Sequence, residues 1–330
     1  MTPRGILIVV DEEQAQKATE AAEKKLFLLR MEEREKKNAI AWGKKTEREL
    51  ESELHALREK LQEIEQSKEE ATKKKEEWKK INKDANESGD KAHDAWTQAA
   101  SYLEHAAQEL ENETYCYELW KEAAEMATQT ALFYEESAQQ HAAGNELGNG
   151  ERFNLSYAAK ITLNSAKVKA EQVIPWRSQQ KAALEQGREE EAQLWEQAIN
   201  NALEAAQLFE RSVQQRAAGN ELGRGGGDDL SNAATSTLKS AKAKAEQIIP
   251  WKSQQKAALE QGKVKEAQLL GEAINKALEA ALLYEQSAQQ YAAGNQYGEG
   301  GGFHLSKAAR STLDSAKAKA KKILSQNVGK

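Results

Sequence analysis

Proline is nearly missing from this sequence: three occur in 330 residues. A chain so poor in helix breakers can run in long helices. Cysteine is scarcer still. Cys116 stands alone, which excludes an internal disulfide framework. A cytoplasmic location is the default, although export without a cleaved signal peptide would leave the same composition. Long apolar runs are also lacking, and none approaches the roughly 20 residues of a membrane-spanning helix. The nearest candidate, "ILIVV" at residues 6–10, is followed at once by Asp11, Glu12 and Glu13 and is too short for a signal-peptide core. Its β-branched residues suit a strand, but a lone strand has no partner, so residues 1–12 are expected to be a flexible or strand-like terminus. Finally, there is no excess of positive charge. The formal net charge is −6, which argues against a nucleic-acid partner.

What the chain has in quantity is charge and helix formers. Charged residues make up 30%, and alanine, glutamate, glutamine and lysine dominate, as in long helices and coiled coils. The sequence also repeats. "AAGN" places its glycine at 144, 219 and 294, and "IPW" ends at Trp176 and Trp251, all at a spacing of 75. This frame predicts three ungapped copies, 101–175, 176–250 and 251–325, with a tail at 326–330. Copies two and three share "SQQKAALEQG".

Within a copy the apolar period is helical. Trp195, Ile199, Ala202, Ala206, Phe209 and Val213 form one heptad stripe. Leu230, Ala234, Leu238, Ala241, Ala245 and Ile248 form a second. The first helix should stop at Gly219, whose freedom suits a left-handed residue past a helix end. Asp228 or Asp229 offers an N-cap for the next, and Pro250 should interrupt or kink it. Each arm has about 32 residues, or about 48 Å of helix. The expected class is therefore all-α: long antiparallel helical hairpins in three tandem repeats. Ahead of them, Leu50, Leu54, Leu57, Leu61 and Ile64 lie among dense Glu and Lys, so residues 13–77 are expected to form long, coiled-coil-like helices. Residues 78–100, in which Trp78 and Gly89 echo the spacing of Trp251 and Gly262, are expected to be a degenerate capping half-repeat.

"WKSQQKAALEQGKVKEAQ" resembles part of a tetratricopeptide repeat, with Trp251, Ala257, Gly262 and Ala267 where that motif carries Trp, Ala, Gly and Ala. It departs from the family in lacking the Leu-Gly pair and in its much longer period, so the resemblance implies shared turn chemistry. "LWEQAINNALEAAQLFERSVQQRAAGNE" is similar to Ala-rich helical repeat proteins of chlamydia-related bacteria. That likeness implies a bacterial interaction protein.

No constellation for catalysis emerges. "GNELGRGGGDDLS" lacks the strand and the Lys-Ser of a phosphate loop, and Asp228 and Asp229 would repel a phosphate. "DANESGDKAHDA" begins like a calcium loop but ends on Ala95 where a bidentate acid is needed. The histidines, at 55, 93, 105, 141 and 304, are not spaced for a helical metal pair. Glu191 and Glu266 stand where Cys116 would recur, so a helix-surface thiol is expected there. No metal, cofactor or small-molecule ligand follows. Two features suggest partner contact: aromatics beside flexible glycines (Phe153, Tyr297 and Phe303), and recurrent lysine pairs (Lys242 with Lys244, Lys317 with Lys319). The lysines read either as side chains flanking an alanine seam or as a basic ridge. The expected role is a non-enzymatic scaffold that binds a protein partner or itself. The alternative is an effector whose amphipathic hairpins open onto a membrane.

Overall fold

Alanine, glutamate, glutamine and lysine hold the backbone in helix, and the scattered glycines decide where it stops. The computed structural model describes residues 47–78, 83–111, 116–144, 154–220, 225–297 and 300–327. The 6–10 segment, the part of the expected coiled-coil-like stretch before residue 47, and Phe153 lie outside them. Among the described residues the fold is all-helical. Eight helices follow one another: α1 (Glu47–Trp78), α2 (Lys83–Glu111), α3 (Tyr117–Ala142), α4, α5 (Glu189–Ala217), α6, α7 (Val264–Ala292) and α8 (Gly302–Asn327). Helix α4 comprises Leu155–Lys167, a π-helical turn Val168–Val173, and Ile174–Glu185. Helix α6 comprises Gly227–Lys242, a π-helical turn Ala243–Ile248, and Ile249–Glu260. Each helix packs against the one before it and the one after it.

The prolines do not interrupt the helices. In an α-helix a proline ring meets the carbonyl four residues back. Here a wider turn precedes it. The N–H groups of Ile174 and Ile249 donate to the carbonyls of Lys169 and Lys244, five residues back, just before Pro175 and Pro250. Helix α8 supplies the control. Ser325 stands where the proline would recur after Pro250, and α8 stays α-helical to Asn327.

Helix ends follow backbone chemistry. Gly187 and Gly262 close the turns after α4 and α6 with φ of +67° and +71°, a region costly for residues with a Cβ. Asn154 caps α4 by accepting the Tyr157 N–H. At α6 the cap is Gly226 rather than Asp228 or Asp229. Both acids fall in the first turn, where the positive end of the helix favours them. Asp228 pairs there with Arg216 from the end of α5, and the Arg216 guanidinium lies 4.0 Å from the centre of the Tyr157 ring of α4. Gly227 has no room for a side chain, because a Cβ would come within 2.9 Å of the Ser212 carbonyl.

The core is a seam of small residues with larger anchors. Ala198, Ala202, Ala205, Ala206, Ala233, Ala234 and Ala241 are fully buried. Trp195, Ile199, Phe209 and Val213 join them on α5 as the heptad stripe requires, and Trp176 packs 6.3 Å from Trp195. On α1, Leu57 and Ile64 enter the cluster that contains Trp96, Leu103 and Ala106 of α2. Two local readings of the sequence need correction. Gly89 makes no turn, since it and the "DANESGDKAHDA" stretch lie inside α2. Cys116 is not a surface residue. It is 4% exposed at the start of α3, in the cluster that holds Leu119 and Trp176.

Candidate interaction surface

The polar chemistry of this molecule sits where consecutive helices cross. Lys169 and Lys244 occupy matching places on the two π-helical turns, 75 residues apart. The Lys169 ammonium reaches Glu122 of α3 at 2.8 Å and Glu210 of α5 at 2.9 Å. Burial pushes its pKa down, but the hydrogen bonds it donates to Glu122 and Glu210 outweigh that and leave it raised. Lys244 pairs with Glu285 of α7 at 2.7 Å. Serines complete each crossing: Ser165 donates to Glu210 at 2.7 Å, and Ser240 donates to Glu285 at 2.8 Å.

Glu285 is the best-satisfied carboxylate of the set. It accepts from Lys244 and Ser240 of α6 and from Asn201 of α5, the last at 2.9 Å. Burial raises its pKa, but the bonds from Lys244, Ser240 and Asn201 more than offset that and hold the carboxyl below its ordinary range. Three donors from two helices thus form a receptor for one carboxylate from the next helix.

The last described helix differs. On α8, Lys319 pairs back to Glu272 of α7 at 2.7 Å, with both side chains substantially exposed. Lys276 of α7 donates to Ser315 at 3.1 Å. Lys276, Ser315 and Lys319 stand 75 residues after Asn201, Ser240 and Lys244. Among the described residues no helix follows α8 to bring a carboxylate to them.

The residues singled out from sequence separate into two groups. Lys244 is committed to an internal ion pair, with 12% of its side chain exposed, and takes no part in a surface ridge. Lys242 is half-buried, and Lys317 is exposed. Tyr297 and Phe303 are 68% and 49% exposed and lie 6.2 Å apart in a tilted pair beside the turn into α8. Sequence reasoning missed Glu210 and Glu285. Their signal was a glutamate held at 135, 210 and 285, beside a serine held at 137, 212 and 287. Glu135 is held differently, by the Trp96 indole N–H at 2.8 Å and by Lys74 at 3.2 Å.

The surface is a helix-packing surface. No group of His, Cys, Asp or Glu positioned to hold a metal ion occurs among the described residues, and no described helix is long and apolar enough to cross a membrane. Compared with known proteins, the chain matches no family model and no curated protein sequence.

Proposed function

We propose that residues 101–325 are three copies of one helical unit, preceded by a coiled-coil-like arm, and that the chain is a non-enzymatic scaffold acting through protein–protein contact. The recurrence of helix bounds, π-helical turns and Lys–Glu crossings at a spacing of 75 supports the first part. One observation carries the second. Of the eight large apolar side chains exposed among the described residues, seven lie between Leu259 and Phe303: Leu259, Val264, Leu269, Leu278, Leu282, Tyr297 and Phe303. Scattered exposed apolar residues are ordinary, but Tyr297 and Phe303 pair 6.2 Å apart and Leu278 and Leu282 lie one turn apart on α7, and such local apolar patches mark contact surfaces.

Light scattering of the purified chain, paired with affinity capture by the full chain and by a variant carrying Leu269→Ser, Leu282→Ser and Tyr297→Ser, tests this reading. The expected result is a mass above the monomer or a stoichiometric partner, lost or weakened at least tenfold in the variant. A chain that stays monomeric and retains no partner overturns it. Flotation with liposomes in place of a protein partner would favour a membrane-active role instead.

A further inference from the structure

The outer face of α8 repeats a surface that is covered elsewhere in the same molecule. On α6, Asp229, Ala233, Ser236, Ser240 and Ala243 are each at most 3% exposed. Helix α7 packs across this side of α6, with the Ser236 hydroxyl 3.1 Å from that of Ser287 and with Ser240 and Lys244 on Glu285. On α4 the corresponding Ala158, Ile161, Ser165 and Val168 are at most 2% exposed, and α5 crosses them. The same spacing on α8 gives His304, Ala308, Ser311, Ser315 and Ala318. Of these, His304, Ala308, Ser311 and Ala318 are exposed, and Ser315 is half-buried. The face keeps the shape of an internal helix crossing and, at Lys276, Ser315 and Lys319, the place of its carboxylate receptor.

Charge then selects the occupant. Helix α8 carries Lys307, Arg310, Lys317, Lys319, Lys321 and Lys322 against the single acid Asp314. A second copy laid on it through the same face would oppose like charges. At the internal crossings the helix that covers this face brings a glutamate to the lysine.

Resting on the scaffold reading above, we propose that the outer face of α8 docks an acidic amphipathic helix of a partner protein. Small side chains of that helix seat against Ala308, Ser311 and Ala318. One of its glutamates enters between Lys276, Ser315 and Lys319, as Glu285 enters between Asn201, Ser240 and Lys244.

The test uses the intact chain and, as probe, a fluorescent synthetic peptide with the sequence of α7, residues 264–292, which presents Glu285 in the register required. Anisotropy should show saturable binding. Ala308→Arg, at an exposed position, should weaken it more than tenfold while circular dichroism and the unfolding midpoint stay unchanged. Lys319→Glu should weaken it about tenfold, the worth of a charge-assisted bond of about 1.4 kcal/mol. A peptide carrying Glu285→Lys should recover much of that loss against the Lys319→Glu chain but not against the original. No saturable binding, or binding indifferent to Ala308→Arg and to the charge exchange, overturns the proposal. A dimer of the chain that Ala308→Arg dissociates would overturn it too, by making a second copy the occupant. If the peptide fails while the chain still assembles or retains a partner that Ala308→Arg does not disturb, the docking proposal falls and the scaffold reading stands.

Discussion

Helices α6 and α8 are built from nearly the same residues and meet different fates. Each presents alanine and serine at heptad spacing, followed by a lysine. On α6 these side chains are buried under α7, and Lys244 lies with 12% of its side chain exposed against Glu285. On α8 the alanines at 308 and 318 face water, and Lys319, with 39% of its side chain exposed, turns back to Glu272. Burial here belongs to the neighbour rather than to the residue. Alanine and serine tolerate both settings, since a methyl or a hydroxyl costs little in water and still lets a second helix approach closely. A lysine on such a face is an internal strut when a glutamate arrives opposite and an ordinary surface cation when none does.

The sharpest way to break the comparison is to place the same charge on both faces. Ala233→Arg would force a guanidinium into the fully buried α6–α7 crossing with no carboxylate assigned to it. The expected loss is about 3–5 kcal/mol, the penalty of an uncompensated buried charge. Ala308→Arg should change stability by less than about 0.5 kcal/mol, as exposed substitutions do. Urea unfolding followed by circular dichroism measures both. Equal losses would mean that the α8 face is as constrained as the α6 face, and the contrast between them would fall.

A smaller asymmetry should separate the two carboxylates. Glu285→Gln removes the charge opposite a largely buried lysine and weakens three hydrogen bonds, for an expected loss of about 1–3 kcal/mol. Glu272→Gln breaks an exposed pair that solvent screens and should leave the unfolding midpoint almost unchanged. Acidity adds a check of sign. The Glu285 carboxyl has its pKa depressed in the folded chain. Its contribution is therefore present above the ordinary glutamate value of about 4.3 and is lost as pH falls through the lower folded value. The original chain should lose stability over that acid window, and Glu285→Gln should lose less. Unfolding midpoints taken from pH 7 down to pH 3 decide it; parallel curves would mean that Glu285 gains nothing from its three donors.

Much of the helical layout was legible before any coordinates. The stripe from Trp195 to Val213 is local, and its burial follows from period alone. So do the stops at Gly187, Gly219 and Gly262, where a positive φ asks for glycine. The crossings were not legible. Lys242 and Lys244 look alike in sequence, and only the arrival of Glu285 from far along the chain makes one of them internal. Cys116 looked exposed because glutamates stand at the corresponding later positions. It shares a buried cluster with Trp176, far along the chain, which a one-dimensional comparison does not bring beside it. The same limit explains Phe303, whose exposure depends on what packs over the turn into α8.

The prolines give the smallest expected effect and the finest test of the contrast between α6 and α8. A proline inside a straight helix costs about 3 kcal/mol relative to alanine, and on that basis Pro250→Ala ought to be strongly stabilising. The π-helical turn argues otherwise. It already widens the helix where the ring would strike, so little strain remains to be relieved. Nor does removing the ring free the turn to close. Tightening it to α-helix would rotate the following segment by about 100°, one residue's worth, and would carry Ile249 and Trp251 out of the core in which they are buried. Packing, and not proline alone, therefore holds the π turn in place. Pro250→Ala should shift the unfolding free energy by less than about 1 kcal/mol, with hydrogen-exchange protection across residues 243–251 largely unchanged. A gain near roughly 3 kcal/mol, or a Trp251 fluorescence spectrum shifted toward that of a water-exposed indole, would mean that the proline imposes the turn and that α8 is straight only because Ser325 replaces it.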